Sequence, residues 1–304
     1  MPAEQSSLPL LSLAVLSGLG FAGLGVSFRL GQAKGLSPAH VALVIGVVGS
    51  AVFGSQVGGA PRPAPALIWA LGLAFGATQY LAVKLFRIAL ARGPLSPMWC
   101  AANLGFIIAV IYSRLFLGEQ PTPMQYVGVA AAVACVLVAT LGQPQAESAG
   151  TGLRRLRTGA DYGIILVLIL GLTGLSPVFL KYLNARPFGA GRTYLTAFSD
   201  LYLLLFYGSF GLLAAGDLLV TRALGGRWRA MLAAGGLGAA GSVVGLWAWA
   251  TACGLPAAVV FTVTSVVSIV VAAVVSVLAF KEKASLGWYA TIGLAGLAVV
   301  LVNV

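Results

Sequence analysis

The 304-residue chain is 60% apolar and 8% charged, with eighteen Lys and Arg against seven Asp and Glu, a net charge of +11. Soluble domains carry about 25% charged residues, so the composition excludes a water-soluble fold and predicts a polytopic membrane protein. Nucleic acid is not the expected partner of the basic excess, because the cations fall at the ends of apolar runs and in short loops, where they orient a membrane protein.

A bilayer span takes about 20 mostly apolar residues, and hydropathy predicts ten, near 8–28, 38–58, 65–90, 94–117, 123–142, 160–183, 194–216, 231–253, 256–279 and 285–304. The runs are long and unbroken, which excludes barrel strands alternating over about ten residues. The first span has no preceding basic region and no clear cleavage site, so it reads as retained rather than as a signal peptide. His40 opens span 2 and reads as a surface histidine.

Polar groups are expensive in hydrocarbon and face the bundle interior or a wet path. At 100° per residue, span 3 aligns Tyr80, Lys84 and Arg87, with Gln79 beside them, and span 4 aligns Trp99, Asn103 and Arg114. Lys84 is a candidate for a substrate carboxylate or phosphate, or else snorkels to the interface with Arg87. Arg114 reads as an interfacial anchor. Span 6 aligns Thr173, Pro177, Lys181 and Asn184, with Ser176 as a further candidate. Pro177 frees a backbone carbonyl and marks a hinge or a packing kink. Span 7 aligns Thr193, Thr196, Asp200 and Tyr207. Asp200 lies roughly 10 Å past Arg192; it reads as a proton-coupling site, an anchor for a substrate ammonium, or a structural partner of Lys84 or Arg29. In span 8 only one of Trp247 and Trp249 faces inward, since they diverge by 200°; Trp247 is taken as the candidate cavity wall. Span 9 offers Thr264 and Ser268 as one hydroxylated face, Thr262 and Ser265 as a rival. Cys100, Cys135 and Cys253 lie within spans without pairing spacing and read as packing residues.

One segment occurs twice. Adding 163 to the numbers of "SRLFLGEQPTPMQY" (113–126) maps Ser113, Leu115, Glu119 and Tyr126 onto Ser276, Leu278, Glu282 and Tyr289. Each copy follows a span opening with proline, Pro94 or Pro256. The chain therefore divides into a five-span repeat at 1–146, a basic linker at 147–159 containing "RRLR", and a second repeat at 160–304. An odd number of spans per half inverts one copy relative to the other, a plan shared by many secondary transporters. The duplicated Glu119 sits where a span meets a loop and reads as a helix cap or ion-pair partner.

"LFLGE", a short loop and "QYVGVAAAVACVLVAT" resemble the EamA-type unit of the drug/metabolite transporter superfamily, and the resemblance covers nearly the whole chain as two such units. It implies an all-α integral membrane protein, a ten-helix carrier without ATPase. Members export amino acids and other metabolites, or exchange nucleotide sugars and sugar phosphates. The chain departs from the pattern in spans 4 and 9, where "NLGF" and "TSVVSI" replace a common proline, and in span 1, where "LGF" stands for a tryptophan–glycine pair.

Enzyme signatures are missing. One histidine cannot build an imidazole metal cluster, and there is no phosphate-cradling glycine motif and no nucleophile with a base. No cofactor or metal is expected. The expected function is secondary transport of small polar metabolites, amino acids or related zwitterions first among them, as a monomer or weak homodimer in the cell (inner) membrane. Asp200 would read an ammonium and Lys84 a carboxylate, with Tyr80, Trp99, Asn103 and Trp247 around them. The alternatives are an exchanger of phosphorylated metabolites or nucleotide sugars, a lipid flippase or scramblase, and a non-transporting assembly partner. Loops on the termini's side carry Arg62, Arg114, Lys181, Arg186 and Arg192, against the other thirteen of eighteen cations opposite. The positive-inside rule then puts the termini outside, whereas the resemblance implies cytoplasmic termini.

Overall fold

The computed structural model describes residues 7–90, 101–141, 159–189, 191–223, 227–280 and 286–304. Its helices are α1 (Ser7–Ala33), α2 (Pro38–Gly54), α3 (Ala66–Leu90), α4 (Phe106–Phe116), α5 (Pro123–Leu141), α6 (Gly159–Ala185), α7 (Tyr194–Val220), α8 (Trp228–Ala252), α9 (Ala257–Phe280) and α10 (Leu286–Val302). Among the described residues there is no β-strand. Among the described residues six stretches are long and apolar enough to cross a membrane: Leu8–Ala33, Ala66–Ile88, Gly163–Ala185, Tyr194–Val220, Trp228–Ala252 and Ala257–Val275; the other apolar helices described are shorter. The protein is an all-α, multi-pass membrane protein. Its outer surface carries Leu115, Phe116, Leu212, Leu219 and Val220, all largely exposed, which suits hydrocarbon rather than water.

Lipid offers backbone groups no partners, so each span must satisfy them internally. Several helix starts are closed by side chains. Ser37 and His40 cap α2, with Ser37 Oγ 2.7 Å from His40 Nδ1. The Gln125 amide donates to Thr122 Oγ1 at the start of α5, and Gln125 Oε1 accepts from Thr122 in return. Thr193 and Thr196 form the same reciprocal box at α7. His40 is no simple surface histidine. It is half-buried, and its Nε2 lies 2.8 Å from the Ala223 carbonyl after α7.

The two halves of the chain interleave. α1 packs between α8 and α9, α2 against α7 and α8, α3 against α6 and α7, α4 against α6 and α9, and α5 against α10. Small residues allow this closeness, as expected where van der Waals contact drives association in lipid. A Cβ on Gly20 would lie 2.7 Å from Gly245 Cα, and one on Gly46 would lie 2.7 Å from the Gly211 nitrogen. The start of α1, the end of α10 and residues 117–122, 186–189, 191–193 and 253–256 share one end of the bundle, here the terminal end. Residues 34–37, 221–223 and 227 share the distal end, where Arg227 donates to the Lys34 carbonyl at 2.9 Å.

Candidate functional site

Three polar nodes lie along α3, α6 and α7. At the distal end, Lys84 and Arg87 of the α3 stripe converge on Asp217 of α7. Lys84 Nζ is 3.4 Å and Arg87 Nη1 is 3.8 Å from the carboxylate, whose side chain is 12% exposed while the two cations are about half exposed. Tyr80, one turn before Lys84 on the same face, is largely buried. The sequence reading overlooked Asp217, because hydropathy closes span 7 one residue before it.

The second node lies near mid-depth. Gln79, midway along α3, donates through Nε2 to Ser176 Oγ on α6. The next residue, Pro177, is the proline inside α6. Having no N–H, it leaves the Thr173 carbonyl without its helical donor. One turn earlier α4 crosses α6 closely: a Cβ on Gly105 would lie 2.8 Å from the Gly174 nitrogen. Asn103 is half-buried in the helical turn leading to Gly105. Gln79, Ser176, Pro177 and Asn103 thus share one depth, while Trp99 lies outside the described residues.

The third node is at the terminal end and joins the two halves. Lys181 on α6, 4% exposed, donates from Nζ to Glu119 Oε1 at 2.6 Å. It also donates to the Leu255 carbonyl at 2.6 Å. Glu119 Oε2 accepts from the Ala257 amide at 2.7 Å, so it caps α9. The helix that follows Glu119, α5, is closed instead by Thr122 and Gln125. Asn184 Nδ2 donates to the Cys253 carbonyl at 2.9 Å beside them. An ammonium this buried costs several kcal/mol to desolvate, and removing one member of such a pair costs about 3–5 kcal/mol because the other is stranded.

Three expectations need correction. Asp200 does not meet Lys84: it is half-buried, with Ser199 Oγ 3.5 Å from Oδ1. It lies two residues past Phe198, where α7 breaks from helical geometry (φ −131°, ψ 20°). That places the carboxylate just past the break. Asp200 and Asp217 stand on one helix roughly 25 Å apart at 1.5 Å per residue, so Asp200 and Lys84 cannot grip the two charges of one amino acid. Trp247 is 46% exposed on the outer face, and Trp249 turns inward instead, packed edge-on against Phe21 and Phe261 at 5.3 and 5.4 Å. The inward face of α8 is set by Gly238, Gly241 and Gly245, which seat α1. Thr264 does not line a path: its Oγ1 donates to the Ala14 carbonyl of α1 at 3.2 Å and ties two helices.

No protein-family profile matches the chain. No curated protein matches it either. Among solved structures, one described only as "Crystal structure of protein" superposes with a TM-score of 0.73, covering 97% of this chain and 96% of its own at 14% identity. That likeness shows a shared fold.

Proposed function

We propose that the protein is a secondary carrier of small polar metabolites in the cell (inner) membrane, working by alternating access between two inverted five-helix halves, α1–α5 and α6–α10. One observation carries the reading. Cys135 Sγ lies 3.4 Å from the Thr291 carbonyl, and a Cβ on Gly128 would lie 3.1 Å from the Ala298 carbonyl. Adding 163 to Cys135 gives Ala298, and adding it to Gly128 gives Thr291, the same offset that relates Glu119 to Glu282. Reciprocal contacts of this kind are what a two-fold relation between the halves predicts, and they support the reading. Exchanging the halves also turns α1–α8 into α6–α3, α3–α7 into α8–α2, and α1–α9 into α6–α4, pairings that all occur. The four shorter apolar helices occupy the remaining span positions in this plan.

Inverted-repeat carriers bind solute near the midplane beside broken helices, which favours the Gln79–Ser176–Pro177 node over either charged end. Amino acids and related zwitterions remain the first class to test, with Asp200 as the candidate coupling acid. Reconstituted in proteoliposomes, the wild-type protein should exchange at least one such solute saturably, and Asp200→Asn should lose the pH dependence of that flux. A wild-type protein that moves no amino acid under any gradient ends the zwitterion reading. Unchanged pH dependence in Asp200→Asn removes its coupling role.

A further inference from the structure

We propose that the Glu119–Lys181 pair is the latch of the terminal end, and that its release opens a polar vestibule lined by side chains that are buried and unpaired in this conformation. The proposal rests on the carrier reading for its purpose. Its geometry stands on two independent observations.

The first is the latch itself. A single carboxylate from the α4–α5 loop in one half holds the ammonium of α6 and the first amide of α9, both in the other half. The same ammonium also holds the Leu255 carbonyl before α9. Three segments that must separate if this end is to open are therefore fixed by one ion pair. Neutralising Glu119 strands Lys181 in a dry site, and the conformation that lets water reach the ammonium becomes favoured.

The second observation concerns five buried side-chain polar atoms that find no hydrogen-bond partner among the described residues: Ser17 Oγ, Ser113 Oγ, Tyr202 Oη, Trp249 Nε1 and Thr262 Oγ1. Buried polar groups without partners are rare and call for a physical reason. These five come from five helices, α1, α4, α7, α8 and α9, and all lie within about 15 Å of the terminal end, counted at 1.5 Å per residue from the helix ends. Ser113 adjoins the latch, and Trp249 reaches α9 next to Thr262. The Glu119 amide donates to the Ser113 carbonyl at 3.2 Å, and Trp249 packs on Phe261, one residue before Thr262. An apolar packing role does not require hydroxyl, phenol and indole N–H groups at all five places. A surface that is dry when the latch is closed and wet when it is open does.

The chemistry of the lining indicates what it would meet. All five groups donate hydrogen bonds, none is acidic, and the Lys181 ammonium stands at the same end. These donors suit the acceptor oxygens of a solute, while Glu119 beside Lys181 and Asp200, two residues before Tyr202, place carboxylates at the same end.

The test uses the full-length chain with its three native cysteines replaced by alanine and one reporter, Thr262→Cys, labelled by a membrane-impermeant maleimide from each face in turn. Gly58→Cys, in the open loop between α2 and α3 at the same end, reports free reagent access. Thr262→Cys should react far more slowly than Gly58→Cys with the latch intact. Adding Glu119→Gln should speed its labelling roughly tenfold or more from the terminal face only, and Lys181→Arg should keep it slow. Should Glu119→Gln fail to fold, Lys181→Met is read in the same way. The proposal is overturned by a rate unchanged in the neutralised variants, by an equal rise from both faces, or by Thr262→Cys as reactive as Gly58→Cys with the latch intact. The carrier reading fails separately: a latch that gates labelling in a protein with no solute flux would keep the first and sink the second.

Discussion

Asp217, not Asp200, is the carboxylate that Lys84 meets, at 3.4 Å, with Arg87 on its other oxygen at 3.8 Å. Both cations are half exposed, so water and salt screen the cluster and its contribution is of the surface kind, about 1 kcal/mol or less. Asp217→Asn should therefore lower the melting temperature by only a few degrees. The gap from wild type should narrow further between about 0.05 and 0.5 M salt, over which the Debye length shortens from about 14 to 4 Å. Thermal unfolding in detergent at the two salt concentrations checks this. A large, salt-independent loss would mean that the carboxylate works as a buried group.

That cluster shows what a single sequence makes legible. Helical spacing put Tyr80, Lys84 and Arg87 on one face, and α3 presents both cations to the same acid. Spacing likewise joined Thr173, Pro177, Lys181 and Asn184, and α6 uses the last two to hold the other helices of the terminal end. The partners were beyond reach because they are distant in sequence: the amide that Glu119 caps is 138 residues away. Periodicity also showed that only one of Trp247 and Trp249 faces inward without saying which. That choice belongs to the glycine face on which α1 sits, a tertiary fact. Hydroxyls are the least legible of all, since Thr264 and Thr262 look alike in the sequence yet one is tied to α1 and the other finds no partner among the described residues.

The crossing of α2 and α7 gives a packing prediction. Gly46 and Gly211 meet backbone to backbone, and a side chain on Gly46 would enter the space of the Gly211 nitrogen, 2.7 Å away. Nothing flexible can yield there, because the obstacle is main chain in the middle of a helix. Gly46→Val should sharply reduce the yield of monodisperse protein on gel filtration, whereas Gly58→Val, with nothing within 4 Å of its Cβ, should match wild type. Equal yields would mean that the two helices can part without loss.

Pro177 separates hinge from packing kink most directly. It lies between Ser176, which holds Gln79 of α3, and Lys181, which holds Glu119. A bend at this point lets the terminal-end stretch of α6 move with the latch while the mid-depth stretch stays with α3. Pro177→Ala returns an N–H that can pair with the Thr173 carbonyl and removes the ring's clash. In a soluble helix this change is worth about 3 kcal/mol, and in a bundle where neighbours already compensate it is worth less. The variant should melt higher than wild type and carry solute more slowly, because the straightened helix couples the two nodes rigidly. Both quantities are read on one preparation, by thermal unfolding in detergent and by flux in proteoliposomes. A higher melting temperature with unaltered flux would make the proline a packing feature, and slower flux without stabilisation would point to a local distortion of the Gln79–Ser176 contact instead of a lost hinge.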